Sequence, residues 1–260
     1  MRLTILGCGS SPGTPAVDRG WGECDPENPR NRRLRPSVIV EEGATRVLVD
    51  TSPDLREQLL GAGVKRLDAV LYTHYHADHL HGIDDLRPIN RFINAPLDIH
   101  ADGETLSHIR KRFDYVLDPL AEDAGFYYKP TLIAHEISGG ERFRIGAIEV
   151  TAIGQDHGYC SSLGFRFGDM AYSVDVAELD NEAFALLDGI ETWIIGTLGY
   201  RPHPTHAHVD KALEWIAKIK PRRAVLTHLS SGLDFDILAT SLPDGVEPAY
   251  DGMAIDDNDG

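Results

Sequence analysis

Cysteine is scarce in this 260-residue chain: Cys8, Cys24 and Cys160 are odd in number, widely spaced and form no C-x-x-C pair. That excludes a disulfide framework and a cysteine-based zinc knot, and it fits a reducing compartment. No apolar run approaches the roughly 20 residues that span a bilayer, so no membrane partner is expected. The opening Met1–Gly7 has too few apolar residues for a signal-peptide core, which gives the expectation of a cytoplasmic protein. Basic residues are outnumbered, with 25 Lys and Arg against 41 Asp and Glu and a formal net charge of -16. Nucleic-acid affinity comes largely from basic side chains that displace counterions from phosphates, so long nucleic acid is disfavoured and small substrates are favoured. The run Arg30, Arg32, Arg33, Arg35 is a local exception, read either as a solvated loop or as a basic rim to one mouth.

What is present is ordinary for a globular protein, 42% hydrophobic and 25% charged, and the length suits one domain over residues 1–260. Leu3 to Gly7 reads as a strand that runs into the Gly- and Pro-rich loop 7–15. Val38 to Val40 and Arg46 to Val49 read as paired strands, followed by a helix with Ser52 as its cap, Pro53 at its first position and Gly61 at its end. Asp68 to Tyr72 has the apolar character of a buried strand. Glu104 to Arg112 suits a helix, Arg142 to Ile145 and Ile148 to Ala152 a hairpin, and Leu163 to Phe167 with Met170 to Ser173 another strand pair. Leu179 to Leu187 and Val209 to Ile219 are amphipathic, each followed by an apolar strand, Trp193 to Ile195 and Ala224 to Leu226. Strands flanked by helices throughout predict an α/β sandwich, with only the tail Asp256–Gly260 frayed.

Chemistry concentrates in Thr73-His74-Tyr75-His76-Ala77-Asp78-His79, which places four candidate ligands within six residues at a strand end. Residues i and i+2 of an extended segment project to one side, so His74 and His76 can reach one ion while the following turn aims Asp78 and His79 elsewhere. His157, Asp175 and His228 each fall where a strand should end. A histidine or aspartate there is ordinarily a turn or capping residue, but with the first motif these read as further ligands.

Taken in order, Asp50, the run His74 to His79, His157, Asp175 and His228 resemble the recurring motifs of the metallo-β-lactamase superfamily over nearly the whole chain. The resemblance implies a four-layer αβ/βα sandwich with two divalent metal ions per chain, zinc or manganese, at one edge. It further implies that His74, His76 and His157 hold one ion, that Asp78, His79 and His228 hold the other, that Asp175 bridges them, and that Asp50 orients the ligands. Two ions sharing a hydroxide suit in-line displacement at phosphorus, in which Asp78 belongs to the catalytic centre. His76, where the diiron flavoprotein branch carries Glu, points to hydrolysis, and the expected lack of a secretory leader points away from antibiotic degradation.

Tyr200-Arg201-Pro202-His203-Pro204-Thr205-His206-Ala207-His208 adds histidines ahead of a helix, and helix N-termini attract phosphate. His206 precedes His228 at the spacing of the extra active-site histidine in the phosphodiesterase branch, which implies a general acid or leaving-group stabiliser. Arg201, His203 and Ser230 are candidate substrate contacts, while His208 and His81 read as neighbours. The segments Gly7–Pro15, Trp21–Cys24, Leu226–Ser230 and Tyr250–Met253 are most similar to PhnP-type cyclic-phosphate phosphodiesterases. That likeness implies hydrolysis of ribose 1,2-cyclic phosphate or 2',3'-cyclic nucleotides, and suggests a homodimer. Those enzymes bind a structural zinc through a cysteine cluster and a histidine; here only Cys24 remains and Ser231 replaces the histidine, so that ion is not expected. An RNase Z-like tRNA endonuclease is the nearest alternative, then a thioesterase or lactonase, and, outside enzymes, a metal-dependent nucleotide-binding module.

Overall fold

A computed structural model of the chain describes residues 1–257. The first sheet is built from β1 (Arg2–Gly7), β2 (Ser37–Glu42), β3 (Thr45–Val49), β4 (Ala69–Leu71), β5 (Leu97–Ala101), β6 (Leu132–Glu136) and a returning strand, β14 (Ala254–Asp256), in the order β14-β1-β2-β3-β4-β5-β6. The second contains β7 (Arg142–Ile145), β8 (Ile148–Asp156), β9 (Ser161–Phe167), β10 (Met170–Ser173), β11 (Thr192–Gly196), β12 (Arg223–Thr227) and β13 (Val246–Pro248), in the order β13-β12-β11-β10-β9-β8-β7. Each sheet begins along the chain with antiparallel pairing and turns parallel, from β3 onward in the first and from β10 onward in the second.

Helices α1 (Leu55–Gly61), α2 (Ala77–Leu80), α3 (Arg87–Ile93), α4 (Gly103–Arg112) and α5 (Asp114–Leu117) cover the first sheet, and α6 (Asn181–Leu187), α7 (Val209–Ile219) and α8 (Phe235–Ser241) the second. Side chains alternate across a strand, so each sheet buries two faces. Leu3, Ile5, Val38, Val47 and Leu71 meet Val150, Phe165, Tyr172 and Ile194 between the sheets. On the outer faces Ile39, Leu48, Val70 and Ile99 pack on Leu55, Leu80, Leu106 and Ile109, while Trp193, Ile195 and Leu226 pack on Leu187, Ala212, Trp215 and Leu238. Three cores separated by two sheets make the four-layer αβ/βα sandwich.

Some boundaries differ from the sequence reading. The first helix begins at Leu55, because Arg35 takes both carboxylate oxygens of Asp54 and Ser52 bonds the Asp54 N–H and Gln58 in a turn ahead of it. Likewise α6 begins after Asp180, whose side chain accepts from the Ala183 N–H at 2.8 Å, rather than at Leu179. The tail is not frayed at Asp256, which pairs with Arg2 in the β14–β1 ladder and accepts from its Nε at 2.8 Å, nor at Asp257, which accepts from the N-terminal ammonium at 2.6 Å; residues 258–260 of that reading lie outside the described residues.

Candidate metal centre

The site lies at the carboxyl ends of the strands, where parallel α/β sheets place ligands. Asp50 follows β3, the run from His74 to His79 follows β4, His157 follows β8, Asp175 follows β10, His206 lies between β11 and α7, and His228 follows β12. Asp50, Asp175 and His228 have φ of 64°, 49° and 58°, the left-handed region that non-glycine residues seldom occupy. Each thus turns its chain within two residues of a strand end and directs its side chain toward the seam between the sheets. Neighbours hold these strained turns: Ser162 Oγ donates to the Asp175 carbonyl at 2.8 Å, and the Thr73 N–H donates to Asp50 Oδ1 at 2.8 Å. Leu163 N–H donates to Thr73 O at 2.8 Å, tying the two sheets beside the site.

The structure brings the predicted ligand residues into two donor groups. In the first, atoms of His74, His76, His157 and Asp175 lie within 4.8 Å of one another; in the second, so do atoms of Asp78, His79, Asp175 and His228. Asp175 belongs to both. Its Oδ2 is 3.4 Å from His74 Nε2, 3.3 Å from His157 Nε2 and 3.5 Å from His79 Nε2, and its Oδ1 is 3.0 Å from His228 Nε2. Asp78 Oδ2 stands 3.5 Å from His79 Nε2 and 3.6 Å from His228 Nε2.

Most of these atoms converge without a hydrogen bond, the contact of His157 Nε2 with His76 Nδ1 at 3.3 Å excepted. His74 Nε2, His79 Nε2, His228 Nε2, Asp78 Oδ2 and Asp175 Oδ1 are buried and lack a hydrogen-bond partner. Leaving so many buried polar atoms unpaired is costly unless something shared satisfies them, and a cation at each focus does so. The donors are nitrogen and oxygen with no thiolate, a set that suits divalent ions of intermediate or hard character.

The far side of the rings is fixed for the same purpose. His79 Nδ1 is 2.6 Å from Asp50 Oδ2, and His157 Nδ1 donates to the Thr205 carbonyl at 2.6 Å, leaving each Nε2 as the lone-pair nitrogen facing the centre. Thr73 Oγ1 donates to Asp50 Oδ2 at 2.8 Å and lies 3.0 Å from His74 Nδ1. His76 Nδ1 faces His157 Nε2 at 3.3 Å, with Cys160 Sγ 3.9 Å from its Nε2.

Charge follows from this geometry. Burial pushes the Asp175 carboxyl up, but the His228 and His79 imidazoles outweigh it and hold Asp175 well below the usual carboxylate range. Burial lowers His79, yet Asp175, Asp78 and Asp50 raise it well above an ordinary histidine; in the same way His228 is raised to about 9, chiefly by Asp175 against burial. His74 goes the other way, driven down by burial. Without a cation, protons on His79 and His228 balance the buried carboxylates.

His206 lies outside both donor groups but against them: its ring centroid is 5.0 Å from His228 and 4.9 Å from His157, and Nδ1 is 3.8 Å from Asp175 Oδ1. Burial and the neighbouring histidines bring it down to about 3, so its ring is neutral at pH 7. His203 is exposed with its ring 5.2 Å from His206, and Arg201 is exposed nearby in the chain. Ser230 is half-buried, its Oγ accepting from the Gly232 N–H at 3.3 Å. His208 caps α7 without a side-chain bond, and His81 is exposed against Phe113.

Thr73 and Thr205 escaped the sequence reading; only their positions beside ligand motifs could have signalled them. The basic run also divides. Arg33 is only 2% exposed and donates to the Ser230 and Leu233 carbonyls at 3.0 and 2.6 Å, clamping the segment after His228. Arg35 is paired with Asp54, and Arg30 lies over the Phe235 and Tyr250 rings. Neither a wholly solvated loop nor a basic rim describes them. Cys24 Sγ lies 3.8 Å from the Arg33 guanidinium and 3.5 Å from the Ser231 and Leu233 carbonyls.

A β-lactamase superfamily domain matches residues 45–229, and the chain belongs to that superfamily. Among solved structures, a diphosphatase of the PhnP family is 32% identical, with 98% of this chain and 97% of that one covered and a TM-score of 0.89. Zn(2+)-bound PqqB from Methylobacterium extorquens, 17% identical with a TM-score of 0.79 over 98% of this chain and all of its own, shows the shared fold. An octanoyltransferase of Porphyromonas gingivalis is 34% identical over 257 residues, 97% of this chain but 51% of its own length. A ribonuclease Z of Bradyrhizobium is 32% identical over 142 residues, 54% of this chain and 46% of its own length. The chain thus spans about half the length of these two curated relatives. Among the described residues, no helix is long and apolar enough to cross a membrane.

Proposed function

We propose that the protein is a metal-dependent phosphodiesterase acting on small cyclic phosphates, with ribose 1,2-cyclic phosphate or 2',3'-cyclic nucleotides as the substrate class. The observation that carries the proposal is His206, a neutral imidazole set against His228 and His157 yet outside both donor groups. A site meant only to hold cations has no use for it; a reaction with a leaving oxygen does. His74, His76 and His157 would hold one ion and Asp78, His79 and His228 the other, with Asp175 available to both and zinc or manganese as the metal. When bound, two such ions supply an activated water at neutral pH and charge neutralisation at a phosphoryl group.

The protein's own groups do the rest. Asp78, whose Oδ2 converges with His79 and His228, would hold its ion beside the attacking water. An anionic phosphate opposite His206 raises the ring's proton affinity against the burial that lowers it, so the ring takes up a proton as the substrate binds and donates it to the departing oxygen as the P–O bond breaks; the attacking water releases one proton to solvent in exchange. Water adds to phosphorus, one ester oxygen leaves with a proton, and a phosphomonoester remains. Arg201, His203 and Ser230 lie close in sequence to His206 and His228 and contribute contacts to the substrate. Asp50 and Thr73 keep His79 and His74 oriented.

Phosphoanhydride hydrolysis is the second reading, favoured by the 32% likeness to a diphosphatase over nearly the full length of both chains. The test is product analysis after incubating manganese- or zinc-loaded protein with 2',3'-cyclic AMP, a dinucleoside diphosphate and a precursor transfer RNA. Phosphomonoester from the cyclic substrate supports the proposal. Cleavage confined to the diphosphate transfers the assignment to the second reading, and trailer removal from the RNA contradicts both.

A further inference from the structure

The loop that carries His157 also carries an aromatic ring with no internal use. Strands β8 and β9 pair up to Asp156 and Ser161, so 157–160 is a four-residue hairpin loop. His157 turns into the metal centre from one side of it, and Cys160 sits behind His76 on the other. Tyr159, at the tip between them, is 89% exposed.

The loop is rigidly held. Asp156 Oδ1 accepts from the Gly158 N–H at 2.6 Å, the Tyr159 N–H donates to the His157 carbonyl at 3.1 Å, and the His157 N–H donates to the Cys160 carbonyl at 2.9 Å. Gly158, at φ 80°, packs so closely on the Pro204–Thr205 backbone that a Cβ would meet Pro204 O at 2.7 Å. The loop is therefore locked to the segment that supplies His206, and Tyr159 is presented from a fixed base. Beside its ring opens a shallow cavity of ≈ 650 Å³ lined by Gln155, Asp156, Tyr159, Cys160 and Glu178. Cys160 is the wall shared with the metal centre, since its Sγ lies 3.9 Å from His76 Nε2.

From this juxtaposition we propose that Tyr159 is a specificity-determining residue that stacks on the nucleobase of the substrate, the base occupying the cavity while the phosphate lies at the metal centre. An exposed ring on a fixed loop gains contact area by stacking with little ordering cost, and every base offers a face to it. Asp156 and Glu178 line the cavity, and beyond the Gly158 N–H held by Asp156 and the Lys211 ammonium paired with Glu178, their second carboxylate oxygens offer acceptors to exocyclic amino groups of adenine, guanine or cytosine. The inference rests on the reading of the site as one that takes small phosphate esters, and it narrows that class to those bearing a base.

Calorimetric binding of AMP and of ribose 5-phosphate to the zinc-loaded protein separates the two ideas, because binding is read without turnover. We expect AMP to bind about tenfold more tightly than ribose 5-phosphate, the preference to persist in Tyr159→Phe, and to vanish in Tyr159→Ala through weaker AMP binding at equal zinc content. No preference in the wild type, a preference that survives Tyr159→Ala, or an equal loss for both ligands overturns the role of Tyr159. Release of phosphomonoester from 2',3'-cyclic AMP, which bears a base, tests the phosphodiesterase reading separately, because the binding comparison involves no turnover.

Discussion

Asp50 Oδ2 lies 2.6 Å from His79 Nδ1, both residues are fully buried, and the contact joins the end of β3 to the first turn of α2. With Nδ1 so engaged, only Nε2 can serve the metal centre, and the negative charge behind the ring makes that nitrogen a better donor.

Asp50→Asn should therefore weaken metal binding by about 10–100-fold, the range typical for loss of a group behind a ligating histidine. Competition with a chromogenic chelator measures it. The fold should survive, because Asn keeps an acceptor for the Thr73 N–H.

Proton release should accompany metal loading. His79 is raised well above an ordinary histidine by its carboxylate neighbours and His228 to about 9, so both carry a proton at pH 7 before an ion arrives. Titration in two buffers of different ionisation enthalpy should show net proton release on loading, and affinity should fall as pH drops.

Asp251 offers a pH effect away from the metals. It accepts from the Cys8 and Leu34 N–H groups, and burial, against those bonds, raises its carboxyl from the usual 3.8 to about 6. A raised folded value means the protonated form is favoured in the fold: the contribution is full below pH 3.8 and is lost as pH rises through 6. The stability cost of Asp251→Asn, from urea midpoints, should thus shrink by up to about 3 kcal/mol between pH 4 and pH 7.

Much of the fold was legible because its strands are apolar runs between turn residues and its longer helices are amphipathic. The run from His74 to His79 stood out because four ligand types fall within six residues. Asp50, Asp175 and His228 were visible as polar residues at strand ends, but their positive φ was not, since side-chain type alone does not report the turn that the packed sheets impose. Arg33 looked like part of a basic surface run; its burial depends on carbonyls about 200 positions away in sequence. The four-residue α2 was too short to show periodicity, and Asp256 looked like acidic tail until Arg2 supplied its partner.

The most direct test of the account is steady-state hydrolysis of 2',3'-cyclic AMP by wild type and His206→Ala, with metal content measured on the same samples. The account predicts two ions per chain in both and a kcat lower by about 10²–10⁴ in the variant, the usual contribution of general acid–base catalysis. An unchanged kcat in a fully loaded variant, or loss of metal with the side chain, would contradict it.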